Sequence, residues 1–437
     1  MRIAWCTPFG TRSAIGRVGQ EVVEELRRTV AVDVWHPPTP EPLETAAPRI
    51  ELTGDSADAA RLATYDLAVY HIGNHLGHRQ ILEVARRTPG AVVLHDLVLQ
   101  HFFSALYLGN SQLGDLYTAA MGRWYGTAGL AAAQTAVLAG SPDFLNSGQV
   151  LQFPLFEEAI AGAFAVVTHS AFAAERVRKV FPGPVWQLAL PHRPIEAGRL
   201  PPREALRVPA GRLLALTFGE VNPNKRIHTI LEALAEDRAL ASRIFYVVIG
   251  SLPEEYGREL QNIIKEHGLE SDVRLTGYLP DEQLAAYLEH ADFCISLRHP
   301  TTETASASVI AQLSAGKAVV VSDSGFYREL PNDSVLKIRA VPDSADLLTA
   351  LRRLVADDTF RSALGRRAKA YAGATFRADR YAAGILRLAE EVADARPMLE
   401  FTDRIGKELA RMGVIPGEVL VETAARMAGE LFEEPPR

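Results

Sequence analysis

The sequence predicts an α/β protein of two domains, each built on a parallel β-sheet. The chain has 437 residues, more than one hydrophobic core usually organises, so two domains of roughly 150–200 residues are expected. Short apolar runs alternate with amphipathic stretches in both halves, which is typical of βαβ units with right-handed crossovers. Five prolines fall between Pro191 and Pro209, where no apolar period is present, so this stretch indicates an interdomain crossing.

The composition favours a globular protein of a reducing compartment. Hydrophobic residues make up 48% of the chain and charged residues 23%, and a net charge of −7 gives no support for a nucleic-acid partner. Cys6 and Cys294 lie in apolar runs, so we expect no disulfide and no zinc site. With no leader and no long apolar span in view, the expected location is the cytoplasm, either free or peripheral at the inner face of the membrane.

The first domain, residues 1–192, begins in the βαβ manner. The predicted elements are, in order, the strand Arg2–Cys6, the loop Pro8–Gly19, the helix Gln20–Thr29 and the strand Val30–Trp35. The loop holds Gly10, Gly16 and Gly19, which do not follow the G-x-G-x-x-G spacing of dinucleotide sites. Ordinary turn chemistry is therefore the simplest interpretation of these glycines.

Further strands of this domain end in polar residues. The predicted elements are the strands Tyr65–Ile72, Ala91–Asp96 and Val166–Ser170 and the helix Ala173–Phe181. His95 and Asp96 close the second of these strands, where open α/β sheets place ligand-binding groups. A buried structural histidine is about as common at such a position, so both interpretations stay open.

A helical insert is predicted from about residue 100 to 160, rich in aromatic side chains. The aromatic residues are Phe102, Phe103, Tyr107, Tyr117, Trp124 and Tyr125. They fit a core packed on the sheet, and they equally fit the wall of a binding site whose ligand stacks on aromatic faces. The sequence does not decide between these alternatives.

The second domain, residues 210–376, follows a linker at 193–209. Its predicted strands are Leu213–Phe218, Phe245–Ile249, Val273–Tyr278, Phe293–Leu297 and Ala318–Ser322, and each is followed by a helix. Surface helices are expected at Leu347–Ala356 and Phe360–Tyr371. A longer helix is expected over 377–396, and two short amphipathic helices form a tail over 397–437.

Two loop-to-helix junctions of the second domain carry the polar residues of a candidate phosphate site. Glu303 precedes a helix predicted to start near Thr304, whose free N–H groups and positive dipole end suit a phosphate. Earlier, Gly219 ends a strand, and Lys225 and Arg226 lead into the helix Ile227–Ala235. Taken alone, the first junction is also compatible with ordinary α/β packing.

The order and spacing of these residues resemble the donor-binding half of the family-4 retaining glycosyltransferases. The matching positions are Gly219, Lys225, Gly250, Thr276-Gly277-Tyr278, Ala291-Asp292, Glu303 and Ser314-Ala315-Gly316-Lys317. The resemblance covers residues ~1–395. It implies the GT-B architecture: two Rossmann-like domains whose parallel sheets face a central cleft, here with a helical C-terminal extension.

The resemblance also implies roles for individual residues. His95 and Glu303 are the candidate catalytic residues, since His95 matches the histidine beside the reacting sugar. The candidate donor-binding residues are Gly16, Gly219, Lys225, Arg226, Gly250, Tyr278, Thr304, Ala305 and Ser306. No metal and no cofactor are expected, because cations and a helix terminus already face the leaving phosphate. The long helix over 377–396 is expected to return to the first domain.

Two positions depart from the family pattern. Glu220 follows the loop glycine where these enzymes usually have arginine, and it repels a diphosphate unless it turns away or Arg226 takes over that duty. Ala311 stands where a second glutamate usually holds the nucleotide ribose. In this chain the ribose is then held by other residues, or it is held only weakly.

The leading hypothesis is a glycosyltransferase that uses a UDP- or GDP-sugar and a hydroxyl acceptor. The acceptor is a saccharide, a lipid-linked saccharide or a small molecule, and the tail is a candidate homodimer contact. The alternatives are a catalytically weakened binding or partner subunit and a nucleotide-sugar epimerase of the same architecture. A phosphorylase of this architecture needs a lysine that carries pyridoxal, and this chain offers no clear candidate for it.

Overall fold

The structure is a computed structural model that describes residues 1–108, 114–138, 144, 147–192, 200–341, 343–414 and 419–432. Part of the predicted linker, 193–199, lies outside the described residues, as do 415–418 and 433–437 of the predicted tail. Both predicted domains are present, and each is built on one parallel sheet.

The first domain has a seven-stranded sheet in the order β3-β2-β1-β4-β5-β6-β7. All its pairings are parallel, so the predicted βαβ organisation is confirmed. The strands are β1 Arg2–Cys6, β2 Ala31–His36, β3 Arg49–Glu51, β4 Leu67–Ile72, β5 Ala91–Leu94, β6 Ala165–Thr168 and β7 Val185–Gln187. The central strands β4, β5 and β6 are buried along their whole length, which explains their continuous apolar sequences.

The helices of this domain cover both faces of the sheet. They are α1 Ala14–Leu26, α2 Ser56–Leu62, α3 Arg79–Ala85, α4 Gln100–Leu108, α5 Gly114–Leu138, α6 Phe156–Ile160 and α7 Ala171–Arg178. Helix α1 begins six residues before the predicted start at Gln20, because Ser13 caps it by accepting a hydrogen bond from the Gly16 N–H at 3.0 Å. A Cβ on Gly16 would lie 2.3 Å from the Pro8 carbonyl oxygen, so this glycine permits a close approach of helix and loop.

The aromatic residues of the helical insert belong mainly to the core of the first domain. Phe102, Phe103 and Tyr117 are fully buried, and Tyr107 is nearly so. Tyr125 is partly buried, and its hydroxyl donates to Glu157 at 2.6 Å. Of the two alternatives for these side chains, the structure supports packing against the sheet.

The second domain has a six-stranded parallel sheet in the order β10-β9-β8-β11-β12-β13. Its strands are β8 Leu213–Phe218, β9 Ile244–Ile249, β10 Val273–Leu275, β11 Phe293–Ser296, β12 Ala318–Ser322 and β13 Leu336–Ile338. Its helices are α8 Ile227–Glu236, α9 Arg238–Ala241, α10 Glu254–Glu266, α11 Asp281–His290, α12 Ala307–Ser314, α13 Gly325–Glu329, α14 Ser344–Ala356 and α15 Asp358–Thr375.

The chain then returns to the first domain in a long helix, as predicted. This helix, α16, is Ala378–Arg411, and Ile385 and Leu388 on it share a hydrophobic core with Trp5 of β1. The predicted boundary between a crossing helix and a separate tail helix near residue 396 is wrong, because α16 continues through Pro397.

The remaining helix of the tail is α17, Val419–Phe432. It leaves Val419 and Leu431 exposed, and Met412 between the two helices is also exposed. The homodimer contact through this tail stays a prediction. Among the described residues, no helix is both long and apolar enough to cross a lipid bilayer.

Candidate active site

Two glycines bring strand ends of the second domain close together. Gly219 follows β8 with φ of +98°, and Gly250 follows β9 with φ of +149°. A Cβ on Gly250 would lie 2.0 Å from the Gly219 carbonyl oxygen, so the second position accepts only glycine without a shift of the backbone. The predicted contacts of these glycines with a donor stay predictions, and their packing alone explains why they are glycines.

Lys225 lies buried at the carboxyl edge of the same sheet. Its ammonium donates to the Phe218 carbonyl oxygen at 2.5 Å, and only 5% of the residue is exposed. Burial and the nearby Arg298 guanidinium lower the pKa of Lys225 well below its usual value. Arg226 follows with φ of +53°, and its buried Nε has no hydrogen-bond partner among the described residues. A cation at this edge of the sheet is what a leaving diphosphate requires.

Glu303 is held by a buried ion pair. Arg298 Nε donates to Glu303 Oε1 at 2.7 Å and to the Tyr327 hydroxyl oxygen at 3.2 Å, and the Tyr327 hydroxyl donates to the same Glu303 oxygen. Burial by itself raises the pKa of Glu303, but Arg298 and Tyr327 outweigh it, so the pKa is lowered. Glu303 is therefore an oriented carboxylate. Arg298 was missed from the sequence, although a cation at the end of β11, five residues before Glu303, signals it.

Lys225 and Arg298 both line a small cavity at the start of helix α12. The cavity measures about 10 Å³, and its lining residues are Thr217, Lys225, Ser296, Leu297, Arg298, Ser306, Ser308 and Tyr327. Arg298 Nη1 is buried and has no hydrogen-bond partner among the described residues. Two cations and five hydroxyl side chains thus line one point at a helix N-terminus, which is an arrangement whose charge and donors suit an anion.

The start of α12 differs from the prediction. The helix begins at Ala307, not near Thr304, because Ser306 is its N-cap and accepts a hydrogen bond from Val309 N–H at 3.4 Å. Of the three residues predicted at the helix start, Ser306 alone faces the small cavity. Ala305 is buried in the apolar core of the second domain.

Thr304 instead joins the two domains. Its N–H donates to the His95 carbonyl oxygen at 3.0 Å, and its hydroxyl donates to the Leu94 carbonyl oxygen at 3.0 Å. The Thr302 carbonyl oxygen accepts from the N–H groups of Leu97 and Val98 at 2.8 and 3.1 Å. The loop that carries Glu303 is thereby fixed against the end of β5, with Glu303 directly opposite Asp96. Donor binding by Thr304 stays a prediction, since its polar groups are used between the domains in this structure.

His95, which is half-buried, is the centre of a row of three histidines whose other members, His71 and His169, are buried. His169 Nδ1 lies 3.0 Å from the Leu188 carbonyl oxygen and must donate to it, which leaves His169 Nε2 as an acceptor for His95 Nδ1 at 3.3 Å. His95 Nε2 in turn accepts from His71 Nδ1 at 2.8 Å. Burial lowers the pKa of all three imidazoles, so each is neutral with its proton on Nδ1.

This row changes the interpretation of His95. Both of its ring nitrogens are hydrogen-bonded to other histidines. A direct hydrogen bond from the ring to a sugar therefore requires that one of these two hydrogen bonds break. The catalytic assignment of His95 stays a prediction. His71 and His169 were not linked to it from the sequence, although β4, β5 and β6 are neighbours and a histidine lies at or just after the end of each.

Asp96 belongs to the first domain and lies opposite Glu303 of the second domain. Its Oδ2 accepts from the Asn74 N–H at 2.8 Å. Burial raises the pKa of Asp96 to about 7, the Asn74 hydrogen bond opposes this, and the charges of Glu303 and Glu220 add to the rise. Asp96 is therefore a group that both donates and accepts protons near neutral pH.

The environment of Asp96 predicts a pH effect on stability. Because its folded-state pKa is raised to about 7, its contribution to stability is fully present below its usual pKa of about 3.9 and is lost as the pH rises through 7. We expect Asp96→Asn to have a higher thermal unfolding midpoint than the wild type at about pH 8 and a similar one near pH 4. A difference between the two proteins that stays constant over this range would contradict the assigned environment.

The remaining predicted site positions lie apart from the small cavity. Tyr278 is 64% exposed, and Gly16 lies in the first turn of α1 in the other domain. Glu220 is exposed beside Gly219, and Ala311 is buried in the core, so no carboxylate replaces it at that position. Within the described parts of the chain, no group of three or more histidine, cysteine, aspartate or glutamate side chains is arranged to hold a metal ion.

Comparison with known proteins bears on the kind of domain that carries this site and on the fold of the chain. Residues 201–371 match the family described as Glycosyl transferases group 1, so the second domain is a domain of that kind. A segment of 164 residues is 27% identical to the lipopolysaccharide 1,2-N-acetylglucosaminetransferase of Salmonella typhimurium and covers 36% of this chain but only 42% of that relative's length.

Solved structures of similar fold cover nearly the whole chain. Sucrose-phosphate synthase from Thermosynechococcus elongatus superposes with a TM-score of 0.63 at 17% identity, covering 90% of this chain and 100% of the other. Anabaena HepE, solved in complex with UDP and glucose, gives a TM-score of 0.63 at 15% identity, with coverage of 90% and 100%. The chain therefore has the GT-B fold that the sequence predicted.

Proposed function

We propose that the chain is a glycosyltransferase that moves a sugar from a nucleoside diphosphate sugar to a hydroxyl acceptor, with retention of configuration and without a metal ion. The observation that carries this proposal is the convergence of Lys225, Arg298 and the start of α12 on one point of a group 1 glycosyltransferase domain. That point lies at the carboxyl edge of a parallel sheet, where such folds bind ligands.

The electrostatic requirement of the reaction explains this arrangement. When the bond from the anomeric carbon to the diphosphate breaks, negative charge develops on the departing phosphate. Lys225, Arg298 and the free N–H groups of α12 stabilise that charge without any reorganisation, since burial and hydrogen bonds already fix them. Arg298 therefore supplies the positive charge that the family pattern takes from an arginine at position 220, where this chain has Glu220.

Glu303 positions the transferred sugar, and the row of histidines supports the strand end that faces it. Glu303, oriented by Arg298 and Tyr327, offers an acceptor oxygen to the sugar hydroxyls. His95 acts mainly by holding the end of β5 in place, and Asp96 is the polar group of the first domain that lies opposite Glu303. The two buried free cysteines suit a cytoplasmic protein, either free or at the inner face of the membrane.

Donor binding and turnover test the proposal directly. The full chain is incubated with UDP-, GDP- and ADP-sugars, and the thermal midpoint and the release of nucleoside diphosphate are measured. We expect one class of nucleotide sugar to bind the folded chain and so raise its thermal unfolding midpoint. The same class should release nucleoside diphosphate, and a UDP-sugar is the first candidate. Neither stabilisation nor consumption by any of the three classes would overturn the proposal.

Metal independence gives a separate prediction. Since two side-chain cations and a helix terminus face the leaving group, we expect turnover in EDTA to equal turnover in Mg²⁺ within about twofold. The comparison uses one enzyme preparation, treated with EDTA and then resupplied with Mg²⁺ or Mn²⁺. A strict requirement for either ion would contradict this part of the proposal.

The alanine at position 311 gives a prediction about the ribose. A site that holds ribose hydroxyls with a buried carboxylate discriminates strongly against a deoxynucleotide, and Ala311 carries no such group. We expect 2′- and 3′-deoxy forms of the donor nucleotide to bind within about tenfold of the parent, or roughly 1.4 kcal/mol. In competition binding, a loss of about a hundredfold would instead direct attention to Gln312 or Ser308.

A non-catalytic partner subunit of the same fold is the second candidate. The observation that favours it is the hydrogen bonding of Thr302 and Thr304 to the first domain, which joins the domains next to Glu303. A partner subunit binds nucleotide sugar without consuming it, so the release of nucleoside diphosphate in the donor experiment separates the two functions.

A further inference from the structure

Helix α16 presents a charged side to the first domain over its last residues. Four charged residues recur at intervals of three or four positions and therefore share one side of the helix. They are Arg396, Glu400, Asp403 and Lys407. All four line a cavity of about 210 Å³ between α16 and the first domain. Arg396 Nη2 also donates to the Tyr65 carbonyl oxygen at 3.0 Å, which fixes this side of α16 against the segment before β4.

The opposite side of this part of α16 is apolar and faces away from the first domain. Its residues are again three or four positions apart: Met398, Phe401, Ile405, Leu409 and Met412. At about 100° per residue, their mean direction lies about 170° from that of the charged residues. Met398 and Met412 are exposed. A surface helix normally turns its apolar side to the core, so this part of α16 has the reverse arrangement.

Helix α17 packs on the middle of this apolar side. A short connection, 412–418, joins α16 to α17, so the two helices are antiparallel and form a hairpin, which we call the tail hairpin. Ile405 and Leu409 of α16 are half-buried, and Ala428 of α17 is buried. These residues mark the sides on which the two helices meet.

Helix α17 also carries apolar residues that its packing on α16 leaves exposed. Leu420, Met427 and Leu431 share one side of the helix, and Met427 and Leu431 are 55% and 67% exposed. Viewed from the N-terminus of each helix, the exposed apolar residues are rotated counterclockwise from the packed side, by about 30° on α16 and about 80° on α17. Because the helices are antiparallel, both rotations lead to the same side of the tail hairpin, which is therefore apolar on both helices.

The charge of the tail does not fit an anionic lipid surface. Residues 397–437 carry five lysine and arginine residues against eight aspartate and glutamate residues, and the whole chain has a net charge of −7. Helices that lie in a membrane interface are rich in lysine and arginine on their polar side, since these residues are attracted to anionic lipids. The apolar side of the tail hairpin therefore fits a protein surface better than a membrane.

A second copy of the tail hairpin has the shape that this side requires. Two antiparallel helices that are apolar on one side are half of a four-helix bundle, and a two-fold axis brings two identical sides together. A 15-residue helix is about 22 Å long and about 10 Å wide, so the side measures roughly 450 Å² per copy in flat projection. Its accessible area is larger than this projection, so two copies bury the ~1,000 Å² expected of a specific interface.

We propose that the chain forms a homodimer through an antiparallel four-helix bundle, built from the tail hairpins of two copies, with Met398, Met427 and Leu431 in its core. The bundle lies beyond the cavity that α16 shares with the first domain, and that cavity is lined by residues at or before the starts of β4 and β6, such as Ala68 and Phe164. This is the amino edge of the sheet, opposite the candidate active site, so both clefts stay open in the dimer. The inference does not rest on the proposed function.

The test is sedimentation velocity of the full chain at about 1 to 100 µM. Met427→Glu and Leu431→Glu place a charge in the proposed interface, and both positions are exposed in one copy, so the folded monomer tolerates them. Val341→Glu in the second domain is the matched control, because Val341 is 59% exposed. Circular dichroism checks folding. Hydrogen exchange of the wild type at the two ends of this concentration range needs no variant, and vesicles of phosphatidylglycerol probe the alternative of a lipid surface.

We expect the wild type and Val341→Glu to sediment as dimers, and each tail variant to weaken association by at least about tenfold. Amide protection within 398–431 should rise with the concentration of the wild type. A wild type that stays monomeric over the whole range would overturn the proposal, whether or not it binds the vesicles. Dimers of equal strength in all four proteins, with no concentration-dependent protection in the tail, would place the interface elsewhere and overturn it as well.

Discussion

Replacing Lys225 with methionine is expected to slow sugar transfer by about 10- to 150-fold, which corresponds to the loss of one charge-assisted contact of ~1.5–3 kcal/mol. Lys225 is 5% exposed and lies in the small cavity with Arg298 and Ser306, so water does not replace the lost charge. Methionine keeps the length and packing of the side chain, and the effect therefore reports charge rather than volume. We expect kcat to fall more than the affinity for the donor, because the charge on the phosphate grows in the transition state.

The matched control is Lys317→Met in the same domain. Lys317 is half-buried and donates to the Glu289 carbonyl oxygen at 2.6 Å, but it precedes β12 and thus lies at the opposite edge of the sheet. We expect it to retain wild-type turnover. Full activity in Lys225→Met, with a folded protein confirmed by circular dichroism, would remove Lys225 from the phosphate site.

Arg298→Met is expected to have the largest effect on stability, a loss of about 3–5 kcal/mol in the free energy of unfolding. The side chains of Arg298 and Glu303 are 13% and 14% exposed, so removing the guanidinium leaves a buried carboxylate without its counter-ion. The double variant Arg298→Met/Glu303→Gln should recover a large part of this loss, since neither charge then remains. Urea unfolding of the four proteins of this double-mutant cycle measures the coupling.

The pH dependence of the Arg298→Met defect provides a second check. In the wild type the pKa of Glu303 is lowered, so its contribution to stability is present above its usual pKa of about 4.3 and is lost as the pH falls. Without Arg298, burial raises that pKa, and protonation relieves the unpaired charge. We therefore expect the deficit to shrink between about pH 7 and pH 4.

An exposed ion pair offers the comparison for this defect. Arg339 pairs with Asp343 and Asp346 at the surface, with 63% of its side chain exposed, so Arg339→Met should leave the free energy of unfolding nearly unchanged. A similar loss in both arginine variants would show that burial of the Arg298 pair is not the cause.

The sequence alone determined the order and type of the main elements, because their signals are local. The buried strands β8 and β12 are apolar on both faces, and the prediction gave both boundaries correctly. The GT-B fold followed from the resemblance, which depends on residue types at set spacings rather than on contacts. The starts of α1 and α12 were missed, because Ser13 and Ser306 cap those helices and loop contacts decide which polar residue becomes the cap.

The tertiary structure alone decided which polar groups meet. Arg298 contacts Glu303 within the loop that joins β11 to α12. Thr304 lies outside the helix predicted for it, because it hydrogen-bonds carbonyl groups of the other domain. The three histidines are separated by 24 and 74 residues along the chain, and parallel pairing of β4, β5 and β6 places them in one row. A sequence records side chains, but burial, protonation and hydrogen-bond partners depend on distances that only the packed chain defines.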